Sequence, residues 1–144
     1  MSGNNVIVEK SKAFALRIIK LYKYLTEKYK ISPIANQILK SGTSIGANVK
    51  EAIRGQSKAD FSAKMCIALK EANESHYWIR LLYKTDFLTE QEFNSIENDI
   101  IVAVYSFINQ YSLPSNDSSP VMGSTVLVSM FWVIGYHTFV LFSS

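Results

Sequence analysis

The sequence predicts an all-α protein, an up-down-up-down antiparallel four-helix bundle with a hydrophobic C-terminal tail. Apolar side chains recur at steps of three and four residues through most of the chain before residue 112, which is the periodicity of amphipathic helices. Proline and glycine are scarce over the same stretch, which disfavours an all-β fold rich in turns. Short connections separate the helical segments, so we expect consecutive helices to be antiparallel neighbours. A chain of 144 residues suits one domain with its own core.

The first helix is expected to run from about Val6 to Tyr29. Its core stripe has apolar side chains at helical spacing: Phe14, Ile18, Leu21 and Leu25. Lysines occupy the opposite face: Lys12, Lys20, Lys23 and Lys30. The second helix should be capped by Ser32, with Pro33 at its first position, where a missing N–H does no harm. It should extend to about Arg54.

The third and fourth helices are expected after two further breaks. Gly55 should end the second helix, and the third should start between Ser57 and Asp60 and reach about Lys84. A Thr-x-x-Glu capping box opens the fourth helix. Its apolar side chains repeat at helical spacing: Phe93, Ile96, Ile100, Val104, Phe107 and Tyr111.

Small and polar side chains are concentrated in the second helix between residues 40 and 52. Gly42 and Gly46 each weaken a helix by about 1 kcal/mol relative to alanine, so we expect another helix to pack closely against them. A polar stripe lies beside the apolar one: Ser41, Ser44, Asn48 and Glu51. Together with Glu71, Glu74, Tyr77 and Trp78 of the third helix, these residues are predicted to be structural. The carboxylates and Asn48 should be partly buried, each with a polar partner.

The domain boundaries are predicted from composition. Residues 1–112 form the bundle, and 113–120, Leu-Pro-Ser-Asn-Asp-Ser-Ser-Pro, form a linker. Residues 121–144 are an apolar tail without Asp, Glu, Lys or Arg. The tail is long enough to cross a bilayer, although it lacks flanking positive charge. A membrane anchor, an extra packed element and a reading-frame or fusion oddity stay open.

Charge is divided unevenly along the chain. All 15 Lys and Arg side chains lie in residues 1–84, and residues 85–144 hold no base. This asymmetry indicates a basic face able to meet RNA or another polyanion. The candidate nucleic-acid-binding side chains are Lys12, Lys20, Lys23, Lys40, Lys50, Arg54, Lys58, Lys64, Lys70, Arg80 and Lys84. The alternative is attraction between basic and acidic helices, within one fold or between subunits.

Enzymatic and metal chemistry are not predicted. The single Cys66 excludes an internal disulfide and a multi-cysteine zinc site, and it fits a reducing cytoplasm. A di-iron bundle needs a Glu-x-x-His pair on each of two helices. Here Glu71 and Glu74 have only His76 nearby. No catalytic residue, metal or cofactor is therefore assigned.

Four segments together resemble a known family. They are Lys-Ser-Gly-Thr-Ser-Ile-Gly-Ala-Asn-Val-Lys-Glu-Ala at 40–52, Asp-Phe at 60–61, Ile-Ala-Leu-Lys-Glu-Ala-Asn-Glu at 67–74 and Tyr-Trp-Ile-Arg-Leu-Leu at 77–82. From Asn5 to Ser112 the chain resembles the bacterial 23S rRNA intervening-sequence protein, or S23-like, family. The resemblance implies a four-helix bundle assembled as a ring-like homopentamer, without established enzymatic activity.

A branch of that family, the accessory protein of diversity-generating retroelements, binds nucleic acid and a reverse transcriptase. The resemblance and the charge pattern lead to one expectation: a non-enzymatic, self-associating bundle that engages RNA or a nucleoprotein partner through a basic surface. The alternatives are a protein-interaction scaffold without nucleic acid, and a version of either one tethered to a membrane by residues 121–144.

Overall fold

The computed structural model describes residues 3–111, which form four α-helices. They are α1 (Gly3–Lys28), α2 (Ser32–Ile53), α3 (Lys58–Lys84) and α4 (Glu90–Tyr111). The predicted all-α class and the four-helix count are confirmed for this part of the chain. The unit that contains the helices ends at Gln110. The predicted linker at 113–120 and tail at 121–144 lie outside the described residues.

Each helix runs antiparallel to the next one in the chain. On α2, Gly42 lies against Ile18 of α1, and four residues later Gly46 lies against Ser11, so the neighbour on α1 moves backwards. The same reversal relates α2 to α3, where Ser41 contacts Ser75 and Glu51 contacts Lys64.

The fourth helix completes the reversal. His76 and Tyr83 of α3 meet Glu97 and Phe93 of α4 respectively, so α4 runs back along α3. Arg17 of α1 also reaches α4 at Asp99. The helices therefore follow one another around the bundle, and α1 lies diagonally opposite α3 while α2 lies diagonally opposite α4.

Backbone approach is closest between α1 and α2 and between α2 and α3. The buried face of α2 explains this closeness, because much of it is small: Ala35, Ser41, Gly42, Val49 and Ala52. The buried face of α3 likewise includes Ala68, Ala72 and Ser75. On α4 the buried apolar side chains are mostly large: Phe93, Ile96, Ile100 and Ala103. Larger side chains hold α4 at a greater backbone distance from the other helices.

The helix ends follow local chemistry, with one correction. Ile31, not Ser32, is the N-cap residue of α2, and its side chain makes no capping hydrogen bond. Pro33 therefore stands at the second helical position and not at the first. Helix α3 begins within the expected range, and Ser57 caps it by accepting a hydrogen bond from the Asp60 backbone N–H at 3.1 Å. Lys30, between α1 and α2, has a left-handed φ of 58°, where glycine is the usual residue.

The capping box of α4 is confirmed. The Thr89 N–H donates to Glu92 Oε2 at 2.8 Å, and the Glu92 N–H donates to Thr89 Oγ1 at 3.2 Å. These backbone and hydroxyl donors hold the pKa of Glu92 below its ordinary value. Among residues 3–111, none of the helices is long and apolar enough to cross a membrane.

Candidate nucleic-acid interface

The outward face of α2 carries three basic side chains in a row. Lys40, Lys50 and Arg54 are all exposed, and positions 40, 47, 50 and 54 share this face with small residues between the charges. At 1.5 Å per residue, Lys40 and Arg54 stand about 21 Å apart along the helix axis. The charged groups of these three side chains make no ion pair or hydrogen bond with another described residue. We call these three residues the α2 basic stripe.

The remaining candidates do not join this row. Lys12, Lys20 and Lys23 are exposed on α1, and Lys70 and Lys84 are exposed on α3. Because α1 and α3 are diagonal in the bundle, their outer faces point in different directions. Lys58 is exposed at the start of α3, just beyond the turn at Gly55. The eleven predicted side chains thus cover three surfaces instead of one patch.

Two of the predicted nucleic-acid-binding side chains already interact with other residues of the chain. Lys64 Nζ lies 2.6 Å from Glu51 Oε2, and this hydrogen bond and ion pair raise the pKa of Lys64. Arg80 is half-buried and also has an interaction within the protein. Neither side chain is as available to phosphate as the residues of the α2 basic stripe. The role of all eleven in binding stays a prediction.

The two glycines of α2 lie where α1 packs against it. A Cβ added at Gly42 would stand 2.7 Å from Ile18 Cγ1, closer than side-chain atoms pack. At Gly46 the nearest atom would be the Ser11 carbonyl oxygen at 3.4 Å. The expectation that another helix approaches these glycines closely therefore holds, and that helix belongs to the same chain.

The polar stripe of α2 is used mainly between α2 and α3. Ser41 is fully buried, and the Ser75 hydroxyl lies 2.9 Å from its Oγ. Asn48 is half-buried, and its Nδ2 donates to the Ser44 carbonyl at 2.8 Å. Ser44 is itself half-buried. Within the stripe, Ser41 and Glu51 therefore contact α3, while the Asn48 bond stays within α2.

The carboxylates differ from one another in burial. Glu51 is paired with Lys64, but its side chain is 58% exposed, so the expectation of partial burial is wrong for this residue. It lies on the outer edge of α2, where a salt bridge needs no burial. Glu71 and Glu74 are half-buried, and Glu74 Oε1 accepts from Trp78 Nε1 at 3.3 Å. Tyr77, the neighbour of Trp78, is 56% exposed.

Two polar contacts that sequence reasoning missed tie α4 to the basic helices. Arg17 donates to the Asp99 carboxylate, and its other terminal nitrogen lies 2.6 Å from Ser95 Oγ. His76 Nε2 lies 2.8 Å from Oε1 of Glu97, which is 5% exposed. Attraction between the basic and acidic parts of the chain is thus present inside the fold. The sequence carried a signal for the burial of Glu97, because this residue falls next to the apolar Ile96 and Ile100 positions of α4.

Two tyrosines at the C-terminal end of α1, Tyr24 within the helix and Tyr29 just after it, take part in aromatic contacts. Tyr29 meets Tyr24 and Phe87 edge to face, at ring separations of 5.6 and 5.1 Å. Lys28 Nζ lies 2.7 Å from the Tyr24 hydroxyl, and this contact followed by one with Tyr29 raises the pKa of Lys28. These aromatic side chains are thus packing residues, as helical spacing suggests. Within the described part of the chain, no group of three or more His, Cys, Asp or Glu side chains is arranged to hold a metal ion.

Comparison with known proteins agrees with the fold. Residues 3–105 match the family described as 23S rRNA-intervening sequence protein. A crystal structure of a protein of unknown function from the S23 ribosomal protein family of Bacteroides thetaiotaomicron is 47% identical, with a TM-score of 0.74. The match covers 75% of this chain and 96% of that one. No curated protein matches the chain. The matched residues span all of α1, α2 and α3 and most of α4, so this chain belongs to the 23S rRNA-intervening sequence protein family.

Proposed function

We propose that this protein is a non-enzymatic helical bundle that binds the phosphate backbone of RNA through the α2 basic stripe. The observation that carries the proposal is the row of three exposed cations, Lys40, Lys50 and Arg54, free of partners among the described residues. Its family is not a known enzyme family. Unpaired cationic side chains along one side of a helix suit phosphate contacts, which add affinity and carry no sequence information.

The placement of acidic side chains supports the same surface. The acidic helix α4 is diagonal to α2, so its carboxylates stand away from the stripe. Asp99 is neutralised by Arg17, and Glu97 is buried against His76. Glu51, the carboxylate on the outer edge of α2, is paired with Lys64. Asp60 comes near the Arg54 end of the stripe, where its Oδ2 accepts the Gln56 N–H at 3.3 Å. The three cations outnumber this carboxylate, so we expect an approaching polyanion to be steered towards the stripe.

Self-association is the second part of the proposal, with a pentamer as the expected state. Large apolar side chains are exposed on the outer face of α1, where Leu16 is 56% and Ile19 is 39% exposed. A contiguous apolar patch on a protein surface often marks an interaction site, and we take this pair as part of one. A ring of identical copies would repeat the α2 basic stripe and increase RNA affinity through multiple contacts. A nucleoprotein partner such as a reverse transcriptase remains a further prediction.

The test is charge reversal on the stripe. The double variant Lys50→Glu with Arg54→Glu should weaken binding equally for RNA of any sequence. The slope of log affinity against log salt concentration should become shallower by about the amount that two phosphate contacts contribute. Filter-binding titrations at low and moderate salt measure both quantities. The matched control is Lys10→Glu with Lys30→Glu, two exposed lysines outside the candidate set, which changes the net charge by the same amount.

Three outcomes separate the alternatives. A loss confined to the α2 variant supports the stripe. Equal losses in both variants would mean that binding follows overall charge and has no defined surface. If the unmodified protein binds neither RNA nor DNA at low salt, the protein-interaction scaffold is the better account.

A further inference from the structure

The outward face of α3 carries an exposed aromatic ring between two lysines. Lys70, Tyr77 and Lys84 are spaced by seven residues, so each is displaced by only about 20° around the helix from the one before. All three are exposed, and Tyr77 is 56% accessible. We call them the α3 aromatic stripe. It extends about 21 Å along the helix axis.

The Tyr77 ring is held in place by its neighbour. The Trp78 ring meets it edge to face, with centroids 5.1 Å apart and an interplanar angle of 69°. Trp78 is half-buried and donates to Glu74 Oε1, which fixes the indole. Tyr77 is 56% exposed despite this contact, so much of its ring surface is accessible to solvent. The Tyr77 hydroxyl has no hydrogen-bond partner among the described residues.

We infer that Tyr77 is a stacking platform for an unpaired RNA base, with Lys70 and Lys84 contacting the phosphates on either side. A fixed aromatic ring between cations is the arrangement with which proteins bind single-stranded nucleic acid. The positive charge at both ends of the stripe favours a polyanionic strand as the occupant over an acidic or neutral protein helix.

This inference rests on the proposed function and deepens it. The α2 basic stripe contacts phosphates and therefore accepts single-stranded and duplex RNA alike. Bases in a duplex are already stacked on each other and cannot use Tyr77. The α3 aromatic stripe should therefore make the protein prefer single-stranded segments such as loops and ends, where bases are unstacked.

The test compares Tyr77→Ala with Tyr77→Trp in the full chain. The probes are a short oligoadenylate and an RNA duplex of the same length at one salt concentration. Loss of one stacked base should weaken binding of the oligoadenylate by about fivefold to a hundredfold. Binding of the duplex should stay unchanged, and Tyr77→Trp should keep the affinity for the single strand. Val102→Ala is the control, since Val102 is 43% exposed on α4 and lies outside both stripes.

The outcomes distinguish this inference from the function on which it rests. If Lys50→Glu with Arg54→Glu weakens binding but Tyr77→Ala does not, the stacking role is overturned and the phosphate surface stands. Equal losses for both probes would also overturn it. If Tyr77→Ala changes the mass of the assembly in light scattering, the face is a contact between copies. If the unmodified protein binds neither probe, the proposed function and the stacking role fail together.

Discussion

The two glycines of α2 meet different surroundings, and their substitution should separate them. Gly42→Ala places a methyl group 2.7 Å from Cγ1 of Ile18, a side chain that is 1% exposed and has no room to move. Overpacking of this kind typically costs about 1–3 kcal/mol, which outweighs the gain of about 1 kcal/mol in helix propensity. We expect denaturant unfolding to show a lower free energy of unfolding for Gly42→Ala.

Gly46 supplies the matched control. A Cβ there would lie 3.4 Å from the nearest atom, which is ordinary contact. Gly46→Ala should therefore be neutral or stabilising by up to about 1 kcal/mol, whereas Gly46→Leu should overpack the same place. Equal effects of alanine at the two positions would contradict the geometry.

At the scale of elements, the cap of α4 should govern part of the response to acid. Thr89→Ala removes the hydroxyl that accepts the Glu92 N–H, and the loss of such a cap costs about 0.5–2 kcal/mol. The pKa of Glu92 is lowered in the folded protein, first by the Thr89 backbone N–H and then by its hydroxyl. Its charge thus contributes stability above its ordinary value of 4.5, and this contribution is lost as the pH falls through the lowered value.

The measurement is denaturant unfolding of the protein and of Thr89→Ala at neutral pH and in acid. The difference in unfolding free energy between them should shrink in acid, because protonated Glu92 no longer gains from the hydroxyl. Thr85→Ala is a suitable control, since Thr85 bonds the Leu81 carbonyl and touches no carboxylate. A difference that stays constant with pH would argue that the cap acts without the charge of Glu92.

The elements were predictable because each carries a local signal. Apolar spacing indicated the four helices, and Ser57 and Thr89 marked two of their starts. The N-cap of α2 at Ile31 was missed because Ser32 and Pro33 give a stronger propensity signal than the extended backbone that precedes them. The left-handed Lys30 could not be predicted, since tertiary packing imposes that conformation on a residue that disfavours it.

At the scale of the molecule, the assembly is predicted to depend on the outer face of α1. Leu16→Glu should lower the mass measured by light scattering, because it places a charge among apolar side chains that a partner copy would bury. Helicity should stay unchanged, as Leu16 is 56% exposed in the single chain. A stable monomer at micromolar concentration for the unmodified protein would rule out the proposed self-association.

The candidate interface was only partly predictable from the sequence. Charge asymmetry identified the basic residues. The sequence does not show which helices lie diagonally opposite each other in the bundle, so basic residues on three separate surfaces were treated as one surface. It also does not show that Lys64 is engaged by Glu51. Both facts depend on how helices pack across the bundle, and helical periodicity describes only one helix at a time.

The larger backbone distance of α4 has a consequence for how the molecule opens. The helices α1, α2 and α3 pack closely, whereas α4 is joined by large side chains and the Arg17–Asp99 and His76–Glu97 pairs. We therefore expect α1, α2 and α3 to unfold as one cooperative unit. Native-state hydrogen exchange should therefore show a partly unfolded form in which the amides of α4 exchange before those of α2. Removal of the imidazole in His76→Ala should raise the population of that form, while the slowest amides of α2 should still report global unfolding.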